Sequence, residues 1–126
     1  MGMDIYATSP TDGKFDYFRA NIWSWRSLHS FTHKYAGHLY SEKTDEAMHY
    51  NDGAGFTEEE CSVVYPVLQL ALDNMKKNKY KIPGIRGSLS KAYEIDKEQI
   101  QEWINFVKNS GGFEIRDVMI TVFKKF

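Results

Sequence analysis

The sequence predicts an α+β domain in which three helices pack on a small, mainly antiparallel sheet. Three observations carry that expectation. Apolar and polar residues alternate near the start, helical stripes follow well-formed N-terminal caps, and the chain closes on a run that is apolar on both sides. At 126 residues the chain is sized for a single domain, 1–126.

In residues 3–8, Met3, Ile5 and Ala7 alternate with Asp4, Tyr6 and Thr8, the pattern of a half-buried strand. Ser9-Pro10-Thr11-Asp12-Gly13 is a turn cluster. Residues 15–23 alternate again, with Phe18, Ala20 and Ile22 on one face and Arg19, Asn21 and Trp23 on the other. A hairpin between the two segments fits, and a helix over 14–23 is the competing assignment. Ser24 is suited to cap the first helix. Trp25, Leu28, Phe31 and Tyr35 follow at three- and four-residue spacing, and Gly37 stops it. Residues 38–56 are polar and turn-rich.

Thr57 and Glu60 have the spacing of a capping box. Cys61, Val64, Tyr65, Leu68, Leu72 and Met75 then form one stripe, which predicts a helix over roughly 57–78 that Pro66 kinks or divides. Residues 79–95 are a connection punctuated by Pro83, Gly84 and Gly87. Asp96 and Gln99 form a second capping box, with Ile95 and Ile100 placed as a hydrophobic staple. Ile100, Trp103, Ile104 and Val107 are the buried face of that helix, and Asn109-Ser110-Gly111-Gly112 ends it. The final strand, Phe113 to about Phe123, is apolar on both faces at Val118, Met119, Ile120 and Val122, which predicts a central or doubly covered strand.

Composition narrows the function classes. Apolar residues at 42% and charged residues at 26% are those of a soluble globular chain. Sixteen Lys and Arg against seventeen Asp and Glu leave a net charge of −1, which argues against general nucleic-acid binding. The one cysteine, Cys61, excludes an intrachain disulfide and a four-cysteine zinc site and fits a reducing compartment. No apolar run approaches the roughly 18–20 residues that span a bilayer. The N-terminal Met-Gly-Met-Asp stretch is not built as a secretory signal, and Tyr6 occupies the position where myristoylation needs Ser or Thr. A cytoplasmic location, without a membrane partner, is expected. Eight Phe, eight Tyr and three Trp make up 15% of the chain, more aromatic surface than is usual, available to a core, a pocket or a subunit interface. A homodimer or higher symmetric oligomer is expected on that ground.

Four motifs recur in a set of uncharacterised phage and bacterial proteins that this chain resembles. They are Met1-Gly2-Met3-Asp4-Ile5-Tyr6, then Tyr17-Phe18-Arg19-Ala20-Asn21-Ile22-Trp23-Ser24-Trp25-Arg26, then Asn51-Asp52-Gly53-Ala54-Gly55, and finally Ser110-Gly111-Gly112-Phe113-Glu114-Ile115. Many of those proteins carry a cysteine-rich, zinc-knuckle-like insert between the second helix and the last. Here that stretch is Lys79 to Ile95 and holds no cysteine, so no metal role transfers. The resemblance implies a phage or bacterial origin, hence a host cytoplasm for a phage product, and directs attention to the Trp/Arg and Asn-Asp-Gly segments.

On a strand over 18–23, Arg19, Asn21 and Trp23 share a face that suits a nucleotide. The indole stacks on a base, the amide reads its edge, and the guanidinium grips phosphate. Trp25 and Arg26 repeat the indole–guanidinium pair. The plain alternative puts the indoles in the core and Arg19 in a surface ion pair. Tyr50, Asn51 and Asp52 are candidates for a pocket rim just before a helix, although Asn-Asp-Gly is also a strong turn signal by itself. Glu58, Glu59 and Glu60 disfavour phosphate at that helix N-terminus, and the acidic residues lack the register of a calcium loop.

His29 and His33 stand four apart on the first helix, with His38 and His49 nearby, but the pattern lacks the glutamate of a zinc-protease motif, so a solvated helix face is expected. Arg86, between glycines and followed by Ser88, Ser90 and Lys91, is a further anion candidate without P-loop spacing, in what otherwise reads as a surface loop. Cys61 lies on an apolar stripe, as an inert core thiol does, and no Gly-x-Ser-x-Gly elbow is present. With no catalytic motif, metal or cofactor signature, the Arg19, Asn21 and Trp23 face, the Trp25-Arg26 pair and the Asn51-Asp52 turn point to a non-enzymatic binder of a nucleotide-like ligand, and the resemblance to phage proteins implies one that sequesters a nucleotide-derived signalling molecule. The alternatives are a nucleotide-hydrolysing or -modifying enzyme using Asp52 with His49, and an interaction module that inhibits a host protein through its aromatic surface.

Overall fold

The computed structural model describes residues 2–50 and 52–116. The alternating segments at the start form β1 (Gly2–Ala7) and β2 (Tyr17–Asn21), an antiparallel hairpin with Gly2 opposite Asn21 and Tyr6 opposite Tyr17. Met3 and Ile5 are buried as the alternation requires. The chain then builds α1 (Ile22–Ala36), α2 (Glu42–Ala47), β3 (Asp52–Ala54), α3 (Glu58–Asp73), β4 (Lys79–Lys81), β5 (Glu94–Asp96), α4 (Lys97–Asn109) and β6 (Phe113–Arg116). The main sheet has the order β2-β1-β6-β3 with antiparallel neighbours throughout, and β4 pairs with β5 in a separate two-stranded sheet. The fold is α+β, as the sequence predicts.

Four α-helices, not three, occur among the described residues. The additional one is α2, where Ser41 caps by accepting from the Thr44 amide at 3.0 Å. Its six residues, Glu-Lys-Thr-Asp-Glu-Ala, carry no apolar stripe, so sequence periodicity cannot register it. A second correction falls at the start of α1. Asn21, not Ser24, is the cap: its Oδ1 accepts from the Ser24 amide at 2.8 Å, and the strand passes straight into the helix. The shared strand face expected for Arg19, Asn21 and Trp23 therefore stops at Asn21, because Trp23 is already helical.

Both capping boxes form, Thr57 with Glu60 and Asp96 with Gln99. Helix α3 runs undivided through Pro66 and ends at Asp73, short of residue 78. The connection 79–95 is more structured than its composition suggests, since β4 and β5 bracket a 3-10 turn at Gly87–Lys91. Strand β6 lies between β1 and β3, the interior position predicted for it; its predicted continuation to Phe123 lies outside the described residues.

The core is aromatic. Trp25 and Trp103 meet edge to face at 5.2 Å, and Phe113 of β6 meets Trp103 at 5.4 Å. Both indole N–H groups are satisfied, Trp103 donating to Thr32 Oγ1 at 3.0 Å and Trp25 to the Met48 carbonyl at 2.9 Å. Burying an indole without such a partner would cost part of what its area contributes.

Candidate functional site

Helix α1 packs Leu28, Phe31 and Thr32 into the core. Ile22, Arg26, His29, Ser30 and His33 lie along another stripe at helical spacing and line a cleft of about 680 Å³. The segment between β4 and β5 forms a facing wall of Ile82, Ile85, Leu89 and Tyr93. Helix α2 and the residues after it add Asp45, His49 and Tyr50. A volume of that order, with mostly apolar walls and a few converging polar groups, is what a small-molecule site requires.

Three contacts hold this geometry. The Trp25 hydrogen bond to Met48 ties the end of α2 to α1. Arg26 Nη1 donates to the Tyr93 hydroxyl at 2.9 Å, joining α1 to the opposite wall. Ser30 Oγ and the Tyr80 hydroxyl lie 2.8 Å apart and link α1 to β4.

Asp45 is the polar centre. Its Oδ1 accepts from the Tyr40 hydroxyl at 2.6 Å and lies 3.1 Å from His29 Nε2, while its Oδ2 lies 3.1 Å from His33 Nδ1. Burial pushes the Asp45 carboxyl upward, but the Tyr40 hydroxyl and the His29 and His33 rings outweigh it and hold the group below the usual carboxylate range. Burial also dominates at His29 and lowers its pKa, with Asp45 opposing. His29 is thus a neutral imidazole near neutral pH, donating from Nε2 to Asp45. Its ring stacks on Trp25 and meets His49 edge-on at 4.3 Å. The Tyr40 hydroxyl is pushed up by burial and by its bond to Asp45, so it stays a donor. Among the described residues, no three His, Cys, Asp or Glu side chains are arranged to hold a metal ion.

Of the ligand-binding residues the sequence singles out, Trp25, Arg26 and Tyr50 line this cleft. Trp25 does so as a buried wall residue, while Tyr50 is 61% exposed at the rim. Arg19, Asn21 and Trp23 are not among the lining residues. Arg19 is an exposed β2 residue with Nε 3.8 Å from Asp4 Oδ1, the surface ion pair of the plain alternative. The Asn21 amide is committed to capping α1. Trp23 is half-exposed and packs edge-on against Tyr93, so it supports the wall from outside the cleft.

Asn51 lies outside the described residues, and Asp52 is described by its backbone in β3. The pairing of β3 with β6 shifts register between Asp52 and Ala54, where Gly53 adopts φ 103°, so this glycine serves a bulge in a strand. At Gly55 a Cβ would stand 1.9 Å from the Phe113 carbonyl oxygen, which accounts for that glycine by close packing. Arg86 is exposed and precedes the 3-10 turn without capping it; its neighbours Ile85 and Leu89, not Arg86, line the cleft.

The histidines need the largest revision. A solvated face holds for His33, whose side chain is 64% exposed, but His29 is buried at 4%. Sequence spacing places Trp25, His29 and His33 four apart on one stripe. It carries no signal for Asp45, which arrives from the unpredicted helix α2. Cys61 is a buried thiol that burial pushes up to about 11, as an inert core cysteine should be.

Comparison of the chain with protein-family models, with curated proteins and with solved structures finds no match. No helix among the described residues is long and apolar enough to cross a membrane.

Proposed function

We propose that the protein binds a small nucleotide-like ligand in the α1 cleft. The observation that carries this reading is the convergence of Arg26, Tyr50 and two further histidines, His33 and His49, on one concave surface of about 680 Å³. A nucleotide needs a flat apolar contact for its base and a fixed cation for its phosphate. Tyr50 and the Ile82, Ile85 and Leu89 wall supply the first, and Arg26 supplies the second. Among the described residues Tyr93 engages one guanidinium N–H of Arg26, and a guanidinium has five donors. The resemblance to phage and bacterial proteins fits a role in withdrawing a host nucleotide from use.

The test is incubation of the protein with a nucleotide pool, followed by washing, heat release and mass spectrometry of the supernatant. A retained nucleotide, bound about tenfold or more weakly by Arg26→Ala and unchanged by Arg19→Ala, supports the reading. Nothing retained, or an Arg26→Ala protein that binds like the parent, overturns it.

A further inference from the structure

We propose that the cleft also hydrolyses its ligand, with His33 as the general base and Asp45 as the residue that positions it. This rests on the ligand class proposed above. The sequence points to Asp52 with His49 for such chemistry; the geometry assigns it to a different pair.

His33 Nδ1 lies 3.1 Å from Asp45 Oδ2. In the neutral ring that contact fixes the proton on Nδ1 and leaves Nε2, on the opposite side of the imidazole, with its lone pair available. Asp45 is itself held on its other oxygen by Tyr40 at 2.6 Å and His29 at 3.1 Å, so the carboxylate that orients His33 is oriented in turn. A base aligned by a carboxylate that is fixed from behind is the arrangement that general-base sites share across unrelated folds. His33 lines the cleft and keeps a 64% exposed side chain, so both water and a ligand can reach it, whereas buried His29 serves as scaffold.

The step balances without an oxidant or reductant. His33 Nε2 takes a proton from water as the water oxygen bonds to a phosphorus of the nucleotide. The phosphorus–oxygen bond on the far side breaks, and its electron pair stays on the leaving oxygen. That oxygen takes a proton from solvent, and the His33 imidazolium returns its proton to solvent. Charge growing on the phosphoryl oxygens faces Arg26, the cation on the same helix stripe.

The experiment uses the full chain with a panel of nucleoside mono-, di- and triphosphates and cyclic and linear dinucleotides in ¹⁸O-labelled water. Products are followed by ³¹P NMR and mass spectrometry, and binding of each panel member is measured separately. The expected result is a phosphate product carrying ¹⁸O. His33→Gln should lower kcat about 100-fold or more, a loss at least about tenfold larger than any it causes in binding. Asp45→Asn should lower kcat about tenfold or more with KM little changed, a split that mere loosening of the fold would not produce. A nucleotide that binds and is returned unaltered overturns this inference and leaves the binding reading standing, as does turnover that persists in His33→Gln. Failure of every panel member to bind overturns the binding reading first and this one with it.

Discussion

Helix α1 presents two stripes built on opposite physical rules. On one, Leu28, Phe31 and Thr32 are buried, Phe31 meeting Tyr35 and Tyr80 and Thr32 accepting from the Trp103 indole, so the side packs closed with its few polar atoms paired. On the other, Arg26, His29 and His33 are held by directional contacts to Tyr93 and Asp45, and a cleft stays open between helix and wall. Apolar groups gain most by filling space, so that side packs solid. Hydrogen bonds fix position without filling volume, so the polar side can be ordered and still leave room for a ligand. The stripes meet at Trp25, which packs on Trp103, ties α2 down and backs His29.

The comparison breaks most easily at the packed side. Trp103→Ala should lower unfolding free energy by about 3–5 kcal/mol in urea denaturation, through lost burial and a cavity. A loss below about 1 kcal/mol would mean that this side is not what holds the domain. Asp45→Ala should cost about 1–3 kcal/mol in the same assay, because it strips Tyr40 and His29 of their shared acceptor. Were it as costly as Trp103→Ala, the distinction between a structural and a functional stripe would collapse. Arg26→Ala should change stability by no more than about 0.5 kcal/mol while weakening ligand binding, since its side chain bridges an open cleft.

The finest test is pH. The folded pKa of His29 lies below its unfolded value, so its contribution to stability is complete above about 6.5 and declines as acidification protonates the unfolded chain first. Asp45 is also depressed in the folded state, so its contribution is present above the ordinary carboxylate range near 4 and is lost as pH falls through its lower folded value. Stability measured between pH 7 and 5 should fall in the parent and fall less in His29→Gln. Equal slopes would remove His29 from the account.

Much of the packed stripe was legible in advance. The spacing of Leu28, Phe31 and Tyr35, the boxes at Thr57 and Asp96, and the stripe through Trp103 all express local periodicity, and all form. The candidate site was legible only in part. Trp25 and Arg26 were marked by their chemistry, and Tyr50 by its place beside the Asn-Asp-Gly segment, and these line the cleft. Arg19 and Trp23 share the first two residues' chemistry, but the cap at Asn21 ends the strand face before Trp23, and none of these three lines the cleft.

What the sequence determined by itself is the class of fold, the capped helices and the buried faces, because hydrophobic spacing and capping act over a few residues. The tertiary structure alone decided that His29 is buried, that the 79–95 connection becomes a wall, and that Asp45 joins Tyr40, His29 and His33. The burial of His29 and the Asp45 cluster depend on where α2 docks, and α2 has too short a pattern to announce itself. Its position is set by hydrogen bonds from Trp25, His29 and His33, groups that meet it only once the chain has folded back.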